Sequence, residues 1–279
     1  RSADRNDRGK TKQKIGIIKE FMTDGVEADG RARVDDDVDR LRAAGHAIDE
    51  LSMPILAHTL ARYYIIVPAE ISSNLARYDG IRYGHRAEGI ATLAELYGKS
   101  RDEGFVTENK RRIMIGSYVL SSGFFDAYYL QAQKARTLLI NTFNDLFAEY
   151  DVLIGPVSPT PAFGLGENTA DPIKMYLADI MTVPPSLAGL PAISVPAGLT
   201  ESGLPVGVQL IGARKSDAAL LALARSLEAI LWMVQLFSFS SPSLLLARFF
   251  LQSFVYQLVA VPHYMSINIS LSLCLWNHH

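Results

Sequence analysis

KRRIMIGSYVLSSGFFDAYYLQAQKARTL, residues 110–138, combines cationic charge, aromatic rings and helical periodicity in one stretch. Ile113, Ser117, Leu120 and Phe124 recur at steps of three and four, and Phe125, Tyr128 and Tyr129 do the same, which is the spacing of helices with one buried face. Gly123 divides the run into two helices, the second expected to continue to about Phe147. Lys110, Arg111 and Arg112 stand directly ahead of the apolar stripe. They read either as a solvated basic face or as a guanidinium at the edge of a pocket, where its planar fork suits a carboxylate.

Working upstream, SSNLARYDGIRYGHR (Ser72 to Arg86) has the chemistry of a loop. Ser72, Ser73 and Asn74 cap or turn, Asp79 and Gly80 mark a turn, and Arg77, Arg82 and Arg86 interleave with Tyr78 and Tyr83. That interleaving suits a structural network with carboxylates first and phosphate or nucleic-acid binding second. Ile55 to Glu70 reads as a buried helix interrupted near Pro68, and Thr92 to Lys99 as a further helix before a loop at Gly104. Lys14 to Lys19 is a β-branched strand, Val34 to Ala44 a charged helix and His46 to Leu51 a second strand, together a βαβ opening.

Downstream, Asp151 to Gly155 (DVLIG) reads as a fully buried strand ended by Pro156, Pro159 and Pro161. A short helix from Pro172 to Met181 carries Asp179. Strands follow at Ala192 to Val195 and Val206 to Ile211, then an amphipathic helix from Ser216 to Ile230. Strands alternating with helices make the chain α/β. It contains neither GxxxxGK[ST] nor GxGxxG.

The chain has 279 residues, 49% of them hydrophobic and 20% charged, which is a globular composition. A net charge of -2 excludes a whole-surface affinity for nucleic acid or anionic membranes. Cys274 is the only cysteine, so no intrachain disulfide or multi-cysteine metal site forms. Apart from the terminal His278 and His279, no histidines lie close enough in sequence to suggest a metal site. Residues 1–13 lack the apolar core of a signal peptide and read as a linker or the remnant of an upstream segment. Residues 14–230 form the functional domain. In residues 231–279 Arg248 is the only formally charged side chain. This apolar tail reads as unrelated to the domain, with a packed extension and a membrane anchor as alternatives. The anchor would be Leu244 to Val261, which Arg248, Gln252 and Gln257 interrupt.

Tyr63 to Gly84 (YYIIVPAEISSNLARYDGIRYG) and residues 110–138 resemble known sequences. LAGLPAISVPAG and GLPVGVQLIG, between Leu187 and Gly212, resemble the amidase signature family in general. SSNLARYDG and DAYYLQAQKARTL resemble its tRNA-dependent amidotransferase branch, the A subunits, over roughly Lys14 to Ile230. The resemblance implies the amidase signature fold, a mixed β-sheet core covered by helices on both faces, with the N-terminal catalytic part absent from this chain. It implies a glutaminase that passes ammonia to a B subunit within a heterotrimer braced by a C subunit. There, with ATP and Mg, glutamate mischarged on tRNA(Gln), or aspartate on tRNA(Asn), becomes the amide needed for protein biosynthesis. No cofactor is expected on this chain itself, no membrane contact is expected, and the location implied is the cytoplasm of a bacterium or an organelle.

Free glutamine carries an α-carboxylate and an α-ammonium, and leaving either desolvated and unpaired is expensive. The family pattern places Arg112 on the carboxylate, Asp179 on the ammonium and Tyr63 as an orienting hydroxyl. On their own, Tyr63 reads as core and Asp179 as a surface or capping carboxylate. The family's Ser, cis-Ser and Lys segment does not occur among the 279 residues. Ser121 and Ser122 beside Gly123 are its nearest imitation and lack glycine-rich surroundings, so the chain is expected to be inactive alone. Two other readings remain open: a fragment of a general amidase, which would leave Arg112 and Asp179 without charged substrate partners, and a non-enzymatic, membrane-associated truncation.

Overall fold

Ile15 and Ile17 of the KIGIIK run point to one side of β1 (Lys14–Ile18), and Gly16 and Ile18 to the other, the alternation of a strand buried on both faces. In this computed structural model, which describes residues 12–23, 25–167 and 172–232, β1 pairs in parallel with β2 (Ala47–Leu51) and β3 (Val152–Pro156). Ile15 thereby stands opposite Ile48 on one side and Val152 on the other. β5 (Pro205–Ile211) lies antiparallel to β3, and β4 (Ala192–Leu199) antiparallel to β5, giving a mixed sheet of order β2-β1-β3-β5-β4. Every residue of the central β3 is buried. Pro196 is tolerated because β4 is an edge, and the register shifts between Pro196 and Gly198.

Two helices cover one face of the sheet. Val34, Val38 and Leu41 of α1 (Ala28–Ala43) and Leu220, Ala224 and Leu227 of α8 (Asp217–Trp232) close over Ile15, Ile17, Val152, Ile154 and Leu210. Ile18, Leu153 and Ile211 alternate with these strand residues and are also fully buried, so the second face is covered as well. The expected α/β architecture with a doubly covered mixed sheet is the one that forms.

The described chain divides into two compact units, His58–Leu138 and the remainder. The sheet, α1, α8 and the two short helices α6 (Pro172–Leu177) and α7 (Val183–Ala188) belong to the second of these. The first is helical: α2 (Thr59–Leu75), α3 (Leu93–Gly104), α4 (Thr107–Val119), a π-helical turn at Phe125–Leu130 and the start of α5 (Gln131–Glu149). The expected linker lies outside the described residues apart from Lys12 and Gln13, as does the tail beyond Trp232. Among the described residues no helix is long and apolar enough to cross a membrane.

Several boundaries differ from the sequence reading. α1 starts six residues before Val34, because Asp29 suits the positive end of the helix and Gly30 is buried within it. α7 is an unexpected helix: Pro184 and Pro185 fall in its first turn, where proline sacrifices no helical hydrogen bond, and Gly189 ends it at φ +68. α2 is not interrupted at Pro68 and runs through Ser72, Ser73 and Asn74, which were expected in a loop. Ser72 Oγ and Asn74 Nδ2 donate back to the carbonyls of Ala69 and Glu70, and Arg101 Nη1 caps the helix end on Leu75 O at 3.0 Å.

The buried face of α4 is also corrected. Ser117 and Leu120 are exposed, whereas Gly116 and Val119 are buried. A Cβ at Gly116 would lie 1.9 Å from Pro68 O, so the two helices cross backbone against backbone. Periodicity of large side chains cannot reveal such a contact. Gly116→Ala should force α2 and α4 apart and lower stability by about 1–3 kcal/mol. This would be read as a fall in the urea midpoint, and an unchanged midpoint would show that the crossing yields freely.

Asp37 is fully buried on the α1 face that carries Val34, Val38 and Leu41. Its Oδ1 accepts from Arg40 Nη1 at 3.0 Å, while Oδ2 has no hydrogen-bond partner among the described residues. Burial pushes its pKa up to about 7 from 3.8, against the attraction of Arg40. Because the native carboxyl holds its proton more tightly than the unfolded one, its stabilising effect is complete below pH 3.8 and is lost as pH rises through about 7. Asp37→Asn should remove this slope and gain up to about 4 kcal/mol over the unchanged chain at pH 8. Denaturant midpoints measured from pH 4 to 8 check it, and parallel slopes in the two proteins would contradict it.

Candidate functional site

The KRR run separates once α4 forms. Lys110 pairs with Asp102, and Arg111 with Glu108, both in exposed positions. Only Arg112 turns inward, its side chain 22% exposed. The solvated-face reading therefore holds for two of the three cations and not for the third.

Helical spacing puts Glu108 one turn before Arg112, and Arg112 Nε donates to Glu108 Oε1 at 2.9 Å. The guanidinium carbon stands 5.6 Å from the centroid of the Tyr64 ring on α2. Tyr63 meets Tyr64 edge to face, centroids 5.2 Å apart at 81°. Burial works against the charge on Arg112, but the Glu108 hydrogen bond, with Tyr63 and Tyr64 nearby, outweighs it and raises the pKa above the ordinary arginine value. The cation is permanent. Nη1 and Nη2 meet no acceptor among the described residues. A held guanidinium with its outer edge open is chemically a receptor for a planar oxyanion such as a carboxylate.

Tyr63 is half-buried on α2, in the same helical unit as Arg112. Asp179 belongs to the other unit, in the turn between α6 and α7. Its backbone carbonyl accepts from the N–H groups of Thr182 and Val183, each at 3.0 Å, and so leads into α7, while the residue itself is exposed.

The loop between α2 and α3 is a structural network. Asp79 accepts from the N–H groups of Ile81 and Arg82, and these bonds, Ile81 first, hold its carboxyl below the ordinary range. Arg77 bonds Asn74, His85 Nε2 lies 2.6 Å from Glu103 Oε2, and Ser100 Oγ accepts from Ala87 N. Gly80, at φ +78, passes so close to Ser100 that a Cβ would lie 2.6 Å from its Oγ. Ser121 Oγ donates to Tyr118 O at the end of α4, a helix-end role. Among the described residues no group of His, Cys, Asp and Glu is arranged to hold a metal ion.

Sequence reasoning missed Glu108 and Tyr64. The first was accessible, since a glutamate four residues before an arginine on a helix is a recognisable pair. The second was not. Adjacent residues on a helix point in different directions, and only the α2–α4 crossing decides which of the two tyrosines covers the guanidinium.

Over residues 2–221 the sequence matches the Amidase family. It is 48% identical over 223 residues to the A subunit of glutamyl-tRNA(Gln) amidotransferase from Geobacter metallireducens, covering 80% of this chain and 46% of that protein. With its counterpart in Thermosynechococcus vestitus it shares 51% identity over 215 residues, 77% of this chain and 45% of that one. The crystal structure of the A subunit of glutamyl-tRNA(Gln) amidotransferase from Thermotoga maritima matches with a TM-score of 0.59 at 34% identity, across 78% of this chain and 42% of that one. The chain thus spans under half the length of these relatives. The family match runs from residue 2 to the start of α8, and the chain belongs to the amidase family.

Proposed function

We propose that the chain forms the substrate-recognition part of a glutaminase, as a portion of the A subunit of a tRNA-dependent amidotransferase. The observation that carries this is the Arg112 guanidinium, kept charged by Glu108, backed by the Tyr64 ring and open at its Nη edge. Identities of 48% and 51% to the A subunits of two glutamyl-tRNA(Gln) amidotransferases support the choice of amide substrate. In this reading Arg112 takes the α-carboxylate of glutamine, Asp179 its α-ammonium, and Tyr63 orients the ligand. A general amidase acting on an uncharged amide gives such a cation nothing to bind.

The nucleophilic serine, the cis-serine and the lysine base come from a segment outside these 279 residues, and the chain hydrolyses nothing by itself. Ammonia released at the completed site passes to the B subunit, which uses ATP and Mg to activate glutamate on tRNA(Gln) or aspartate on tRNA(Asn). A C subunit completes the heterotrimer. The assembly works where tRNA is charged, in the bacterial cytoplasm or an organelle, and this chain holds no cofactor of its own.

The test is glutaminase activity of the chain alone and mixed with a separately expressed upstream segment of a related A subunit. Activity is expected only in the mixture. Arg112→Ala and Asp179→Ala should each raise KM for glutamine about ten- to a hundredfold, the worth of a hydrogen bond to a charged group. Activity of the chain alone, or a mixture indifferent to both substitutions, would overturn the reading.

A further inference from the structure

A guanidinium can grip a carboxylate along two useful edges, Nε with one Nη or the two Nη groups together. In this structure the first is taken, because Glu108 Oε1 accepts from Nε at 2.9 Å. Tyr64 covers one flat face at 5.6 Å. The Nη1–Nη2 edge is left open among the described residues. We propose that Glu108 is a positioning residue, which with Tyr64 fixes the guanidinium so that an α-carboxylate is bound end-on through Nη1 and Nη2. This rests on the reading of Arg112 as the carboxylate holder, and it assigns the orientation of that contact and the residues that enforce it.

The local charge fits the role. Glu108 also pairs with Arg111 through its second oxygen, so one carboxylate is shared between two guanidiniums. The formal charge of these three side chains is +1, the sign that a ligand carboxylate requires. Without Glu108, the arginine would be free to rotate about its side-chain torsions and to offer either edge. Each ligand would then bear the cost of ordering it.

The experiment uses the 279-residue chain completed with the upstream segment and compares two probes, glutamine and 4-aminobutanamide, which is glutamine without its α-carboxylate. Glu108→Ala should raise KM for glutamine about tenfold, with kcat within about twofold and KM for 4-aminobutanamide unchanged. Glu108→Gln keeps an acceptor for Nε and should recover most of the loss. A loss of helix structure would raise KM for both probes alike, so the split between them separates positioning from folding. If Arg112→Ala raises KM for glutamine while Glu108→Ala does not, or if Glu108→Ala affects both probes equally, the positioning role is overturned and the carboxylate contact stands. If Arg112→Ala leaves the preference for glutamine intact, the carboxylate reading itself falls, and the positioning role with it.

Discussion

The helical unit depends on one close approach. Gly116 presents no side chain, so α4 lies against α2 at the Pro68 carbonyl, where a Cβ would come within 1.9 Å. Arg112 is one turn before Gly116 on α4, and Tyr64 one turn before Pro68 on α2. Fixing the crossing therefore fixes the guanidinium over the ring. The site is built by a packing contact that itself involves no charged atom.

The centre of the sheet was largely legible because β1 and β3 are buried on both faces. Such strands read as short apolar runs bounded by turn residues, and KIGIIK and DVLIG are of this kind. α8 was legible for the complementary reason, a clean helical period with one apolar face. What failed depends on tertiary contact. The exit of α2 through Ser72 to Asn74 is held by Arg101 from another helix, and the buried side of α4 is decided by a glycine, which carries no hydrophobic signal. α7 escaped because two prolines in six residues look like a break until their place in the first turn is known.

The candidate site was legible only in part. Charge composition alone could not distinguish Lys110, Arg111 and Arg112, which differ by their direction around one helical turn. The resemblance singled out Arg112, Tyr63 and Asp179. The structure adds the supporting partners of Arg112, and sets Tyr63 edge to face against the Tyr64 ring that covers the guanidinium. Glu108 plays no role in the family pattern as read from sequence, yet it touches Arg111 and Arg112 together.

The π-helical turn at Phe125–Leu130 lies between the break at Gly123 and the long α5. A π turn holds one more residue than the α-helix it interrupts, so it acts as a phase adjuster for the chain that follows. Removing a single residue there would turn the sequence of α5 by about 100° about its axis. Leu139, Phe143 and Phe147, which share one buried side, would rotate away from the interior together. Length at this short aromatic segment is therefore under a tighter restraint than its composition, and an insertion or deletion tolerated at the break before it would not be tolerated within it.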